Sequence, residues 1–166
     1  MRRIALLAAS AALVLGLGAQ PVAAHQGSTI VQTAIAVNAQ TGEFDQLIAA
    51  VVRTGLVDTL NGKRQFTVFA PTDAAFAELF DALGVDSIDD IPVGTLRAVL
   101  RYHVAPGNRD SADVLDSTRI RTISKGFLTP SVQGGNAWIN GARILIPDVQ
   151  ASNGVIHVID AVLVPA

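Results

Sequence analysis

The 166 residues carry 12 lysines and arginines against 14 aspartates and glutamates, a formal net charge of −2, and half of them are hydrophobic. No basic patch is evident, which argues against a nucleic-acid partner, and the aliphatic content is that of an ordered chain able to build a core. No cysteine is present, so disulfides, thiolate metal sites and thiol catalysis are excluded and packing must supply the stability.

The chain opens MRRIALLAASAALVLGLGAQPVAA. Arg2 and Arg3 precede an apolar stretch from Ile4 to about Ala19, and Val22-Ala23-Ala24 offers small residues for cleavage after Ala24. Residues 1–24 therefore read as a secretory signal peptide, the apolar stretch being shorter than the roughly 20 residues a spanning helix needs. No stable membrane span is expected after cleavage. Loss of Arg2 and Arg3 leaves the mature chain more acidic, and residues 28–166 are of a length for one domain.

The first half has helical periodicity. Residues 28–38 predict a short helix with Ile30, Ala34 and Val37 inward. Over 43–60, Phe44, Leu47, Ile48, Val51, Val52, Leu56 and Leu60 recur at spacings of three and four and make one apolar stripe, with Gly55 weakening its end. FTVFAPTDAAFAEL, 66–79, reads as a strand stopped by Pro71, then a helix capped by Thr72 or Asp73, with Phe76, Leu79 and Phe80 on its buried side. Over 94–103, Leu96, Val99, Leu100 and His103 fall on one face of a further helix, and Ala105-Pro106-Gly107-Asn108 breaks the chain.

From there short strands alternate with turn residues: RIRTIS, FLTPSV, NAWIN before Asn140-Gly141, then ARILIP and the terminal NGVIHVIDAVLVP at 153–165. The terminal run splits by parity into Val155, His157, Ile159 and Ile156, Val158, Asp160. Each face is apolar but for one polar residue, so the run predicts a strand covered on both sides. Helices before strands in one domain make an α+β class.

Four segments resemble the fasciclin-like (FAS1) domain, in that family's order. FTVFAPTDAAF at 66–76 is similar to its first signature box, LRYHV at 100–104 to its central leucine-tyrosine-histidine segment, ING at 139–141 to its asparagine-glycine hairpin, and NGVIHVIDAVLVP to its second box. The resemblance covers residues 28–166 and implies a β-wedge or twisted sandwich of about seven strands with a helical cluster from the N-terminal half. It also implies a secreted, extracellular or periplasmic, or cell-surface adhesion module whose partner is a cell-surface or matrix protein or polysaccharide.

The resemblance names adhesion candidates. Tyr102 and His103, flanked by Leu100 and Val104, match one cell-binding element of the family; Pro147-Asp148-Val149 is similar to a second, and an exposed Asp148 is expected at a strand end. Ile146 stands where the second element often has an acid. Read on chemistry alone, Thr72, Asp73, His157 and Asp160 form a structural polar core, His157 a hydrogen-bonded lock between the terminal strand and its neighbours. No metal or cofactor is expected: HExxH spacing, a GxSxG elbow, a P-loop and a dinucleotide fingerprint are all absent from the sequence, and no enzyme activity is expected. The alternative function is an extracellular carrier of an apolar small molecule, a lipid or pigment, held between sheet and helices.

Overall fold

The computed structural model describes residues 27–165, so the signal peptide expected at 1–24 lies outside the described residues. Helix α1 (Ile30–Thr41) starts at a capping box: the Thr29 hydroxyl accepts from the Gln32 amide and the Gln32 side chain returns to Thr29. It runs past the expected end at residue 38, to Gly42 in the left-handed conformation. The stripe over 43–60 is divided. Helix α2 (Asp45–Thr54) stops at a left-handed Gly55, and α3 (Val57–Leu60) is a separate turn. Val52, expected inward, is exposed, because α2 turns Leu47, Ala50, Val51 and Thr54 to the core, with Ile48 at its edge.

Thr72 caps α4 (Asp73–Leu83), its hydroxyl accepting from Ala75 N–H. Asp73 caps a different helix: its carboxylate accepts from the Asp45 and Gln46 amides at the start of α2. Helix α5 (Val93–Tyr102) buries Leu96, Val99, Leu100 and Tyr102 and ends at His103. The stretch expected only to break the chain contains β2 (Val104–Pro106) and is followed by α6 (Ser111–Asp116).

Strand β1 (Phe66–Pro71) lies parallel to β8 (Gly154–Ile159), with Phe66 opposite Gly154 and Pro71 opposite Ile159. β2 closes one edge against β1, antiparallel. On the other side β8 pairs antiparallel with β7 (Ala142–Ala151), which leads to β6 (Asn136–Ile139) and β5 (Pro130–Gln133). A separate ribbon joins β3 (Ile120–Arg121) to β4 (Phe127–Leu128). The strands number eight among the described residues, six in one sheet, where about seven were expected. The class is α+β, a curled sheet with a helical cluster.

Every residue of β1 and β8 is buried. Parity sorts them. Val68, Ala70, Ile156 and Val158 face the helices, with Leu47, Val51, Leu96 and Leu100. Phe69 and Ile159 face a second cluster with Tyr102, Val114, Leu128 and Ile139. Asn153 ties the ends together. Its Oδ1 accepts from Ile30 N–H at 2.8 Å, its Nδ2 donates to the Leu60 and Gly62 carbonyls, and its own carbonyl accepts from Phe66 N–H.

The next residue must be glycine for a steric reason. A Cβ on Gly154 would lie 1.9 Å from the Phe66 carbonyl oxygen and 2.9 Å from Ile30 Cδ1. Gly154→Ala is expected to cost about 4 kcal/mol or to abolish folding. Gly94→Ala on α5, where a Cβ meets nothing within 4 Å, is expected to be neutral or to add up to about 1 kcal/mol. Urea unfolding of the two variants checks the contrast; equal stabilities would refute the close approach.

Candidate functional site

Tyr102 and His103 sit where α5 runs into β2, and both side chains are buried. The Tyr102 hydroxyl donates to the Phe127 carbonyl at 2.8 Å and accepts from Asn140 Nδ2 at 2.9 Å. Its ring packs on the backbone of Gly126, where a Cβ would come within 2.5 Å of Cε2. Asn140, in the left-handed region at the hairpin turn, also accepts from Thr129 N–H through Oδ1. The tyrosine-histidine segment and the asparagine-glycine hairpin therefore hold each other. Next to it, His103 Nδ1 lies 2.7 Å from the Val99 carbonyl, and Nε2 accepts from Leu163 N–H at 2.8 Å, which pins the C-terminal segment.

Asp148 does not end a strand. It lies inside β7, at φ 60°, within the register shift between Ile146 and Val149. Such a bulge absorbs Pro147, which has no N–H for the ladder, and lets the strand continue to Ala151. The Asp148 carboxylate is half-buried and accepts from Ser111 N–H at 2.7 Å and Ser111 Oγ at 2.6 Å, at the start of α6. Its amide donates to His157 Nδ1 at 3.2 Å, and His157 Nε2 lies 3.0 Å from the Arg109 carbonyl. The His157 ring stacks on Phe69, centroids 5.5 Å apart. Of the rest of the expected polar core, Thr72 is buried, but Asp73 and Asp160 are only half-buried, because each carboxylate serves backbone amides near the surface. Asp160 accepts from Arg143 N–H and donates to the Arg143 carbonyl.

These contacts assign opposite tautomers. His103 carries its proton on Nδ1, since Nε2 must accept from an amide; His157 carries it on Nε2, since Nδ1 must accept. Burial lowers His103 from 6.5 to about 4, against a smaller upward pull from the Val99 carbonyl. Burial lowers His157 too, opposed by the Arg109 carbonyl and by the charges of Asp148 and Asp110. Both rings are neutral and have no nitrogen left for a substrate proton or a metal. No group of three or more His, Asp or Glu side chains gathers as a metal site among the described residues.

Two features were not read from the sequence. A cavity of about 160 Å³, lined only by apolar side chains that include Ile30, Ala34, Leu47, Val51, Val68 and Ile156, lies between α1, α2 and the sheet, with exposed Ile35 and Val52 at its mouth. A cleft of about 800 Å³ beyond the end of α2 gathers Arg64, Arg97, Arg101, Arg121 and Lys125. It overturns the expectation that no basic patch exists. The only sequence signals were the i,i+4 pairs Arg97/Arg101 and Arg121/Lys125.

The histidines carry a pH prediction. The native fold binds fewer protons than the unfolded chain between about pH 6.5 and 4, so stability is full above 6.5 and falls as pH drops toward 4. His103 alone should account for about 3 kcal/mol of that loss. Nitrogen-15 NMR of the imidazoles should show Nδ1–H for His103 and Nε2–H for His157, with His103 still neutral at pH 5. A charged or tautomerically averaged His103 at that pH would refute the assignment.

The Fasciclin domain model matches residues 42–165. Protein sll1483 of the cyanobacterium Synechocystis is 39% identical over 137 residues, covering 80% of this chain and 73% of its own. Immunogenic protein MPB70 of Mycobacterium bovis is 34% identical over 115 residues, covering 68% of this chain and 56% of its own. Pig transforming growth factor-beta-induced protein ig-h3 is 33% identical over 122 residues, 74% of this chain but 18% of that one. In fold, the chain is similar to a FAS1 domain pair from the insect cell adhesion molecule Fasciclin I, with a TM-score of 0.67 at 20% identity over 83% of this chain and 51% of that one. This chain thus spans about half of MPB70 and of the insect domain pair. With the two boxes, the tyrosine-histidine segment and the hairpin interlocked as described, the chain belongs to the Fasciclin (FAS1) domain family.

Proposed function

We propose that this protein is an exported, single-domain adhesion module that works by surface contact and catalyses nothing. The observation that carries this is its membership of a family whose structural neighbour is a cell adhesion molecule. The spent histidines support it, because the groups best suited to general acid–base work are committed to backbone partners. Export rests on the signal peptide that the sequence leads one to expect at residues 1–24. The site of action is extracellular or periplasmic, and the partner a cell-surface or matrix protein or polysaccharide.

In this reading the contact face lies away from the Tyr102–His103 pair, whose side chains are buried. Surfaces coated with the protein are expected to retain the parent cells or matrix polymers above the level of the heat-unfolded protein, and retention no better than that control would refute adhesion. Tyr102→Ala/His103→Ala is expected to lower stability by at least about 3 kcal/mol, through lost packing and orphaned carbonyls. An unchanged melt with lost adhesion would instead return the pair to the contact face.

The cavity favours a second function, carriage of an apolar small molecule. Its volume of about 160 Å³ is close to that of a dry apolar cavity, about 150 Å³, known to admit benzene, so it suits a ring or the end of an acyl chain. A fluorescent fatty acid should bind the wild type and fail to bind Ala34→Phe, which fills the space. Equal binding by both would exclude the cavity as its site.

A further inference from the structure

The described residues hold ten cations and fourteen carboxylates, yet five of the cations and none of the carboxylates line one cleft. Arg64 precedes β1, Arg97 and Arg101 lie one turn apart on α5, and Arg121 and Lys125 belong to the β3–β4 ribbon. All five are exposed. Among the described residues the one ion pair is Arg53 with Asp89, outside the cleft. Helix capping explains only part of this clustering. Arg97 Nε donates to the Thr54 carbonyl at the end of α2 at 3.0 Å, and Arg101 Nη2 reaches the Ile123 carbonyl at 3.4 Å. Arg64, Arg121 and Lys125 make no such side-chain bond. Lys125 is also held at φ 74°, a conformation uncommon for a residue with a side chain. Five like charges around one recess repel one another unless an anion joins them.

We propose that this cleft binds an acidic polysaccharide, whose carboxylate or sulfate groups sit among Arg64, Arg97, Arg101, Arg121 and Lys125. The proposal rests on the adhesion reading for the partner's place outside the cell. Four arginines offer planar forks that grip carboxylate or sulfate in two-point contacts. The exposed Thr59 hydroxyl at the cleft wall adds a partner for sugar hydroxyls. Other polyanions fit less well. The one aromatic residue in the lining, Phe66, is buried, so no platform stacks the bases of a single strand. None of the exposed large apolar residues lines the cleft, so nothing there would enter a bilayer. A volume of about 800 Å³ exceeds what one inorganic anion fills.

The test measures binding of the purified protein to immobilised heparin, a sulfated polymer, and alginate, a carboxylated one, with neutral dextran beside them. Arg64→Glu/Lys125→Glu reverses two lip charges that make no side-chain bonds, and Arg119→Glu/Arg143→Glu makes the same charge change outside the cleft. The wild type is expected to bind at least one acidic polymer in a salt-sensitive way. The lip variant should bind at least about tenfold more weakly, and the control within about threefold of wild type. If the lip variant's melt shows misfolding, Arg64→Gln/Lys125→Gln replaces it, with the same direction expected. Equal binding by the lip and control variants, equal binding to dextran, or no binding to either acidic polymer would overturn the proposal. So would tighter binding to single-stranded DNA or to phosphatidylserine vesicles. The coated-surface assay separates the two claims. Wild-type adhesion with polymer binding unchanged in the lip variant sinks the cleft alone, whereas polymer binding without wild-type adhesion sinks the adhesion reading alone.

Discussion

The parallel pairing of β1 with β8 is the constraint on which the rest of the molecule depends. Two strands of six residues, buried on both faces, lie side by side although more than eighty residues separate them in sequence. A parallel pair cannot be closed by a tight turn, so the intervening chain must leave and come back. The return adds α4 and α5 toward one face, where α1 to α3 already pack, and the ribbon and hairpins toward the other. Burial on both sides demands two apolar layers, and parity alone assigns each side chain to its layer. Asn153 then satisfies the backbone groups that meet where α1, α3 and β1 converge.

The polar residues placed inside serve this arrangement. Each histidine uses both ring nitrogens on main-chain groups: the last turn of α5 and the C-terminal segment for His103, the β7 bulge and the loop before α6 for His157. A neutral imidazole can donate at one end and accept at the other, which neither an amide-free aromatic nor a charged side chain can do at the same spot. Burial keeps these rings neutral, and their bonding to the main chain occupies both nitrogens of each.

The surface and the gap between layers hold two further features. The two candidate places differ in kind. The cavity beside α1 and α2 has no polar lining and selects for size and apolarity, whereas the cleft beyond α2 selects for charge. Charge segregation is an unusual feature for a chain with an excess of acids. Carboxylates collect at Asp86, Asp89 and Asp90 and at Asp110, Asp113 and Asp116, while half of the described cations share one recess.

Local patterns in the sequence were enough for the elements with a period or a punctuating residue. The α4 and α5 faces, the strand-turn-helix at 66–79 and the doubly covered terminal strand all follow from side-chain spacing, which the backbone geometry converts directly into faces. A stripe was not enough at 43–60, where a left-handed Gly55 ends α2, α3 is a separate turn, and Val52 falls on the outer side of α2. Strand β2, Asp148 inside a bulge and the burial of Tyr102 were decided by partners far along the chain: β1, His157 with Ser111, and Phe127 with Asn140. The basic cleft belongs to the same class. Its five cations are scattered over sixty residues of sequence and meet only because α5, the ribbon and the start of β1 are packed together. By itself the sequence determined the apolar periods, the turns and the two strands at the centre, because those depend on near neighbours. Only the tertiary structure decided which polar and charged groups face each other, because that depends on distances through space that no local spacing encodes.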